Sequence, residues 1–538
     1  MRCLFANNKI FGDAIAMLKI KVNIKRIKEI LSEDRYWLKV LYLLLGFLTL
    51  FVSTFLTLYN LTYLDYNSWA AYPFIFVQFV WYFLVSNNAT TLFRLAFYEE
   101  PKRTQAWRKN PPTISIIIPL YKEPVKVLQR FADGLDKVTY PGDRLEMIIV
   151  EDSGNDYFKN TVKIFQKIAT KKKVKLYLLK RDGRNGYRGG AIKDGIKIAS
   201  GKYIIVFDID HKPLPDTFEK MMSVIEANRD RYDVVLFPQQ FVKPKNSIAN
   251  ASYIGYRFDY AFSRKGKTVS NSAFCVGTNW IADRKKIVEA GGYDDKTIVE
   301  DFATSLKLWH PNGIRIGFAE GDLAIGLLPE TLQAWKIQQY RWAYGAFKGF
   351  KDYIKSFPKL NIFQKFDYLY NIAWYLVGLT TIMSSLFPLM SSLGAPFLKI
   401  TSIVNYVIIV VGFTIMQLLL YASPLMIVGE KVTKISQGQS TGILISDTYT
   451  LAFIDALRGK KRSFKVTPKD KRRVGIIQLG KELFLPLLLV SINTLVILLY
   501  FSNPDLFTLI NAFWAAYNNS WIMSALISYG IDLTKGRL

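Results

Sequence analysis

The chain has 538 residues, half of them hydrophobic, which excludes a single ordinary soluble core. Its formal net charge of +28 is compatible with nucleic acid, an anionic membrane or an anionic substrate, but soluble nucleic-acid binders are rarely this apolar. We therefore expect no nucleic-acid partner. The two cysteines, Cys3 and Cys275, lie far apart in sequence and indicate no disulfide framework.

Roughly six apolar runs are each long enough to cross a membrane, which takes about 20 residues. They lie at 37–60, 69–92, 368–393, 402–428, 483–501 and 506–528. Basic segments flank these runs, and an even number of spans leaves all of them on one side. The positive-inside tendency predicts a multi-pass protein of the cell membrane with the central block and both termini in the cytosol. The first run is too long for the core of a signal peptide.

The central block alternates short β-branched runs with helix-compatible stretches. The predicted strands are 114–118, 145–150, 174–179, 203–207 and 234–237. This order predicts an open, mostly parallel α/β sheet, whose ligands bind beyond the carboxyl ends of the strands. Polar clusters follow four strands in succession and predict a rim of functional side chains at Glu123, at Glu151 and Asp152, at 181–188, and at Asp208 with Asp210.

Asp208 and Asp210 flank one residue directly after a predicted strand. Carboxylates at this spacing can hold Mg²⁺ or Mn²⁺ together with substrate phosphates. A D-x-D match alone is expected about once by chance in a chain of this composition, so its position after the strand is what strengthens the prediction.

The stretch 181–191 brings three arginines and four glycines together immediately before a helix-compatible segment. Glycines allow a close approach of the backbone, and arginines at a helix start suit a diphosphate. A flexible basic surface loop is the alternative interpretation.

Two further motifs carry side chains suited to catalysis. Glu300 and Asp301 begin an amphipathic stretch, where they could cap a helix or supply a general base. Gln338 and Arg341 share one helix face, where the arginine could stabilise a leaving diphosphate. The adjacent Trp342 could stack on a sugar, although an interfacial helix would also explain the aromatic residues around it.

Taken in order, these residues resemble the membrane-integrated, processive family 2 glycosyltransferases, in particular cellulose synthases and cellulose-synthase-like mannan synthases. The resemblance covers about 110–475 and rests on four segments. They are 274–279 (FCVGTN), the Glu300-Asp301 pair, 329–342 (PET leading to QxxRW) and 464–469, which matches the F-x-V-T-x-K gating loop. The last segment is the most specific, since far fewer glycosyltransferases have it than have D-x-D.

The resemblance implies an α/β GT-A (Rossmann-like) cytosolic domain inserted between transmembrane helices, with interfacial amphipathic helices, a divalent cation and a channel. It implies that Asp301 is the catalytic base and that Asp208 and Asp210 bind Mg²⁺ or Mn²⁺. The implied donor and nucleotide contacts are Glu151, Asp152, Arg188, Asp208, Gln338, Arg341, Val466, Thr467 and Lys469. The implied acceptor contacts are Trp342, Cys275 and Glu300.

Two departures from the family pattern bear on these roles. Glu151 and Asp152 replace the usual paired aspartates, which leaves open which of these two acids contacts the base of the nucleotide. Val299 replaces the usual threonine before the Glu300-Asp301 pair and lacks its hydroxyl.

These segments predict the following organisation along the chain. A basic cytosolic segment (1–35) precedes two transmembrane helices (36–92), the GT-A domain (100–330), interfacial helices with QxxRW (331–365), two more transmembrane helices (366–428), an interfacial helix with the gating loop (429–482), a last transmembrane pair (483–528) and a tail (529–538).

The predicted function is processive, inverting elongation of a β-linked, cellulose-like or mannan-like polysaccharide and its translocation through the protein's own channel. Its predicted partners are a nucleotide sugar, with UDP-glucose favoured and GDP-mannose the alternative, the growing glycan, and membrane lipids. A single-transfer enzyme acting on a lipid acceptor is the first competing interpretation, and a non-catalytic export channel is the second. The sequence does not indicate an oligomeric state.

Overall fold

The computed structural model of the protein describes residues 36–399, 403–460 and 475–537. Two long helices come first, α1 (Tyr36–Thr62) and α2 (Ala71–Ala96), and they pack against each other. Buried amides join them, since Asn60 Nδ2 donates to Gln78 Oε1 at 3.2 Å. The two predicted apolar runs in this region therefore form helices.

A seven-stranded sheet and a three-stranded sheet form the domain that follows. The strands are β1 (Ile114–Leu120), β2 (Leu145–Glu151), β3 (Lys175–Lys180), β4 (Tyr203–Val206), β5 (Lys212–Pro213), β6 (Val234–Leu236), β7 (Gln240–Phe241), β8 (Trp280–Asp283), β9 (Ile316–Phe318) and β10 (Ala324–Gly326). The large sheet has the order β3-β2-β1-β4-β8-β6-β9, and the small one β5-β10-β7. In the large sheet β8 runs antiparallel to β4 and β6, and the other pairings are parallel. The predicted α/β fold is confirmed, and all five predicted strands are present.

Helices cover both faces of the large sheet. They are α3 (Val125–Leu135), α4 (Asn155–Lys172), α5 (Tyr187–Ile198), α6 (Thr217–Ala227) and α8 (Arg284–Glu289), whereas α7 (Ser247–Arg257) and α9 (Glu300–Thr304) pack mainly on other helices. Side chains of β1 alternate between two cores, because successive strand residues point to opposite faces. Ile116 belongs to the core that contains Phe131 of α3, and Ile117 to the core that contains Ile192 of α5.

The chain continues into a second helical region. Its helices are α10 (Leu332–Lys348), α11 (Phe350–Ser356), α12 (Ile362–Ala373), α13 (Val377–Ser392), α14 (Ile403–Gln417), α15 (Val432–Gly442), α16 (Ser446–Leu457), α17 (Ile476–Ser502) and α18 (Leu506–Thr534). One 3-10 turn joins α12 to α13, and α14 extends through a π-helical turn to Ile427.

Four helical segments of the described chain are long and apolar enough to cross a membrane. They are Tyr36–Thr62, Ile362–Ser392, Val407–Ile427 and Ile477–Ser502. α2 and α18 are also long, but they carry amides that serve the interior of the helix bundle: Asn88 Nδ2 donates to the Leu420 carbonyl (2.8 Å) and Asn518 Nδ2 to the Ser384 carbonyl (3.2 Å). All six predicted runs are thus helical, whereas by length and composition four segments, not six, qualify as spans.

A buried polar network fastens the sheet domain to these helices. Arg94 of α2 and Asp367 of α12 form an ion pair at 2.5 Å. Asn87 Nδ2 and Ser272 Oγ also donate to the Asp367 carboxylate, at 2.9 and 2.5 Å. Because Ser272 precedes β8 in the sheet domain, this network holds the domain against the helices, and removal of Asp367 would leave the buried charge of Arg94 without its ion-pair partner.

Candidate active site

The carboxyl ends of three parallel strands meet at one edge of the sheet. Glu123 follows β1, Asp152 follows β2 and Asp208 follows β4, and all three side chains line the same cavity. This agrees with the predicted rim, since neighbouring parallel strands end on the same side.

The cavity has a volume of about 840 Å³. Nine of the site residues that the resemblance implies line it, namely Asp152, Arg188, Asp208, Asp210, Glu300, Asp301, Gln338, Arg341 and Trp342. Glu151 and Cys275 are not among its lining residues. Val466, Thr467 and Lys469 lie outside the described residues.

Asp208, Asp210 and His211 form a cluster suited to a divalent cation. One ligand atom from each lies within 4.8 Å of the others, and the turn after β4 brings them together because the His211 amide donates to the Asp208 carbonyl. His211 Nδ1 lies 3.0 Å from Asp210 Oδ1, while its buried Nε2 has no hydrogen-bond partner within the described chain. Two carboxylates and an imidazole suit a divalent ion such as Mn²⁺. The sequence interpretation missed His211, although it directly follows the D-x-D pair.

Arg188 joins the cation cluster to the Glu300-Asp301 pair. Its Nε and Nη2 donate to Asp208 Oδ1 at 2.9 and 2.7 Å, and its Nη1 donates to Glu300 Oε1. Its Nη2 also donates to the carbonyl of Gly277, in the FCVGTN segment. Burial alone would lower the pKa of Arg188, but the carboxylates of Asp208 and Glu300 raise it, so the side chain is a fixed cation.

Asp301 is a half-buried carboxylate at the start of α9. Burial raises the pKa of Asp301 to about 7, and the neighbouring Glu300 carboxylate adds to this shift. Its Oδ1 accepts the backbone N–H of Phe302 at 2.7 Å, which fixes the side chain at the cavity wall. A carboxylate with a pKa near neutrality can accept a proton efficiently at physiological pH.

The QxxRW residues lie on α10, one turn apart, and all reach the cavity. Thr331 begins this helix as its N-cap, with Oγ1 accepting the Ala334 N–H at 3.2 Å, which explains the PET sequence before it. Burial lowers the pKa of Arg341, which nevertheless stays cationic. The Trp342 ring packs edge-on against Tyr256, with centroids 6.0 Å apart.

The structure separates the two acids after β2. Asp152 lines the cavity and accepts Arg181 Nε and Nη2, both at 2.6 Å. Glu151 points away from the cavity and accepts bonds from Ser153 and from Thr161 of α4. Of the two acids, Asp152 is therefore the one that reaches the cavity.

Cys275 does not line the cavity, which is contrary to the expectation that it contacts the acceptor. Its side chain is fully buried in the core on the α5 side of the sheet, and burial raises the pKa of the thiol well above its usual range. Its neighbours Phe274, Val276 and Gly277 line the cavity instead. The extended chain alternates its side chains, and the alternation turns the thiol inward.

The same cavity continues into the helical region. Its lining there includes polar and aromatic side chains of α2, α13, α14 and α18, namely Trp81, Thr381, Ser384, Gln417, Asn518 and Trp521. One continuous space therefore connects Asp208 and Asp301 with helices of membrane-spanning length.

Gly326 of β10 provides the space that His211 occupies, because a Cβ at this position would lie 2.5 Å from His211 Nε2. Gly326→Ala should displace the ring and weaken Mn²⁺ binding by about 10-fold, measured by titration calorimetry. Gly480→Ala, which meets no atom within 4 Å, is the control. Unchanged Mn²⁺ affinity in Gly326→Ala would remove His211 from the cation site.

Comparison with known proteins identifies related sequences over the sheet domain and beyond. The profile for glycosyl transferase family 2 matches residues 115–290, and that for glycosyl transferase family group 2 matches residues 203–423. Together these matches include the cation cluster, the Glu300-Asp301 pair and the QxxRW helix.

Three curated relatives illustrate how similar the matching proteins are and how much of each chain is covered. A probable glycosyltransferase of Sulfolobus acidocaldarius is 24% identical over 56% of this chain and 65% of its own length. Glucomannan 4-beta-mannosyltransferase 1 of Oryza sativa is 28% identical over 48% of this chain and 51% of its own. The UDP-forming cellulose synthase catalytic subunit of Pseudomonas fluorescens is 26% identical over 45% of this chain and 33% of its own. The chain thus matches between a third and two thirds of each relative's length.

Among solved structures, the mannosyltransferase PcManGT of Pyrobaculum calidifontis, in complex with GDP-Man and Mn²⁺, is 13% identical, with a TM-score of 0.47. The alignment covers 71% of this chain and all of that one.

Proposed function

We propose that this chain, which belongs to the family 2 glycosyltransferases of the cellulose synthase and cellulose-synthase-like kind, elongates a β-linked glycan from a nucleotide-sugar donor. One observation carries the proposal: the cavity lined by Asp208, Asp301 and Arg341 is also lined by residues of the long apolar helices. A growing glycan could therefore pass from the site of transfer directly into the helix bundle.

In the proposed reaction, a hydroxyl oxygen of the acceptor attacks the anomeric carbon of the donor sugar. The bond from that carbon to the diphosphate oxygen breaks as the new bond forms on the opposite face, which inverts the configuration of the carbon. Asp301 accepts the hydroxyl proton. Arg341 stabilises the negative charge that develops on the leaving diphosphate. Arg188 holds Glu300 and Asp208 in register, and thereby orients the base relative to the donor.

Asp208, Asp210 and His211 would hold the divalent cation, and the two carboxylates among them suit Mg²⁺ or Mn²⁺. When bound, the cation supplies positive charge beside the diphosphate. Asp152 would meet the nucleotide and Trp342 the acceptor sugar. The segment 464–469, which lies outside the described residues, would close over the nucleotide.

The proposed topology has the sheet domain and both termini in the cytosol, with a channel through the helical region. Its support is the basic residues beside the apolar segments and the four helical segments long enough to span a membrane. The donor is a nucleotide hexose. The rice relative is named a mannosyltransferase and the Pseudomonas relative a UDP-forming cellulose synthase, so a mannose donor and a UDP-linked glucose donor are the first to test.

A donor panel tests this function. Purified protein is incubated with UDP-glucose, GDP-mannose or UDP-GlcNAc, each with Mg²⁺ or Mn²⁺, and both nucleotide release and product length are measured. We expect one donor to give cation-dependent nucleotide release and a ladder of polymer. A single sugar on a lipid would support the lipid-acceptor enzyme instead, and no release with any donor would support a non-catalytic export channel.

The pKa of Asp301 predicts the pH dependence of transfer. As a base, Asp301 must be deprotonated, so kcat/KM should fall about tenfold for each pH unit below about 7 and level off above it. The measurement is kcat/KM from pH 5 to 9 at fixed ionic strength. A profile that stays flat down to pH 5 would contradict the assignment of the base.

A further inference from the structure

A carboxylate and a guanidinium lie side by side in the cavity wall, in a segment that the proposed mechanism leaves without a role. Asp259 and Arg264 both belong to the π-helical stretch Phe258–Arg264 that extends α7. Arg264 Nε donates to Asp259 Oδ2 at 2.7 Å, and both side chains line the cavity. The local helix geometry is what pairs them.

Residues five apart on a regular α-helix point about 140° away from each other, since each residue turns the chain by about 100°. A π-helix closes its hydrogen bonds between residues five apart, and therefore brings such a pair onto one face. The π-helical geometry of this stretch thus turns a carboxylate and a guanidinium toward the cavity together. π-helical turns of this kind are frequent at functional sites.

The two side chains differ in how they meet the cavity. The Arg264 guanidinium is held firmly, because it donates to the Phe274 carbonyl and lies 4.2 Å from the centre of the Phe274 ring. Its side chain is 6% exposed, whereas that of Asp259 is 34% exposed. Arg264 binds one of the two carboxylate oxygens, so the pair presents a fixed donor and an accessible acceptor to the cavity.

The pair lies between the proposed base and the helical region. Asp301 lines the same cavity, and Arg264 is near enough for its charge to act on the Asp301 carboxylate. In the other direction, Phe258 stacks on Trp374 with ring centroids 5.2 Å apart. A glycan that runs from Asp301 into the helix bundle would pass near Asp259, because both side chains line the one cavity.

Aromatic residues complete the surroundings. Tyr256 stacks on Tyr260 at 6.3 Å, and Tyr256, Tyr370 and Tyr375 all line the cavity. Sugar hydroxyls both donate and accept hydrogen bonds, whereas a carboxylate only accepts and a guanidinium only donates. A carboxylate-guanidinium pair among aromatic rings therefore suits two neighbouring hydroxyls of a sugar.

We propose that Asp259 and Arg264 form a binding site for hydroxyl groups of the acceptor glycan, just beyond the point of transfer. This inference rests on the proposed glycosyltransferase function and adds a determinant of acceptor choice to it. A site built to bind a hydroxyl discriminates strongly against an acceptor that lacks it, because the charged groups then lose a partner.

The first test leaves the protein unchanged. Cellotetraose and β-1,4-mannotetraose serve as acceptors with the donor that the panel identifies, and versions lacking single hydroxyls near the non-reducing end are compared with them. We expect removal of one or two particular hydroxyls to raise the acceptor KM by about 10- to 100-fold. Changes below about 3-fold for every hydroxyl would overturn the proposal.

The second test changes the carboxylate. Asp259→Asn should raise the KM for the tetrasaccharide by about 10-fold or more, with a smaller effect on kcat, while the dissociation constant of the nucleotide measured by calorimetry is unaltered. Asp233→Asn is the matched control, because Asp233 makes a similar pair with Arg315 at 3.0 Å that does not line the cavity. Equal effects in both variants, or an unaltered acceptor KM in Asp259→Asn, would overturn the proposal.

The experiments separate this inference from the function on which it rests. If the wild-type protein releases nucleotide from none of the donors tested, the glycosyltransferase function itself is rejected. If the wild-type protein elongates acceptors and Asp259→Asn has the same acceptor KM, only the hydroxyl-binding site is rejected. Should Asp259→Asn fail to fold, the deoxy acceptors still decide the matter.

Discussion

Asp301→Asn should reduce sugar transfer by about a thousandfold, which is within the range for loss of a general base. Asparagine has nearly the shape of aspartate but cannot accept the acceptor's proton at neutral pH. Donor binding should persist, because the predicted donor contacts are other side chains. The measurements are the rate of glycan elongation and the dissociation constant of the donor nucleotide.

The same variant should also differ from the wild type in how its stability depends on pH. The pKa of Asp301 is raised in the folded protein, so the fold favours the protonated acid and its contribution to stability is lost as pH rises from about 4 through about 7. The neutral asparagine removes this loss. We therefore expect Asp301→Asn to have a higher Tm than the wild type at pH 8, with the difference vanishing towards pH 4.

Asp295→Asn is the matched control for Asp301→Asn. Asp295 precedes the same helix, forms an ion pair with Lys193 at 2.9 Å and does not line the cavity. It should keep nearly wild-type transfer. Normal elongation by Asp301→Asn would show that another group is the base.

Arg341→Ala should lower kcat by about 100- to 1000-fold, as expected when one donor to a developing negative charge is removed. Arg341→Lys should fall between alanine and wild type, because lysine keeps the charge but lacks the planar fork that binds two phosphate oxygens at once. Steady-state kinetics at saturating donor measure both.

Arg257→Ala separates this effect from a general loss of positive charge. Arg257 pairs with Glu430 at 2.7 Å and is absent from the cavity lining. It should change kcat little. If Arg341→Ala raised only the KM for the donor and left kcat intact, Arg341 would bind the ground state alone and the proposed stabilisation of the leaving group would be wrong.

Most of the strands that could be predicted from the sequence are buried on both faces, and β3, at the edge of the large sheet, is the exception. Continuous apolar runs such as 114–118 and 203–207 identify parallel strands covered by helices. β8 was not predicted, because Trp280–Asp283 is short and ends in a charged residue. It is a strand because it fills the space between β4 and β6 in antiparallel register, which only tertiary contacts decide.

Side-chain direction limited the prediction of the site in the same way. Motif spacing brought Asp208, Asp301 and Arg341 onto the list of candidates, and the structure gathers them around one cavity. The motif containing Cys275 was equally recognisable, yet its thiol points into the core. Asp259 and Arg264 belong to no recognised motif, and their pairing depends on a π-helical turn that hydrophobic periodicity does not reveal.

Composition also gave an incomplete account of the helices. α2 and α18 contain asparagines that look unfavourable for a membrane span when the helix is considered alone. In the bundle, Asn88 and Asn518 donate to backbone carbonyls of neighbouring helices. Polar residues in such helices serve packing inside the protein, and hydropathy averaged over one helix cannot register their partners.

In the proposed mechanism, transfer and passage into the helix bundle share one cavity, so that the product stays bound between additions. The measurement is a challenge experiment in lipid nanodiscs: elongation begins on a labelled tetrasaccharide with the active donor, and a large excess of unlabelled tetrasaccharide is added after the first turnovers. We predict that labelled chains continue to lengthen as if no competitor had been added. Immediate arrest of the labelled chains, with single additions spread over the competitor, would contradict the claim.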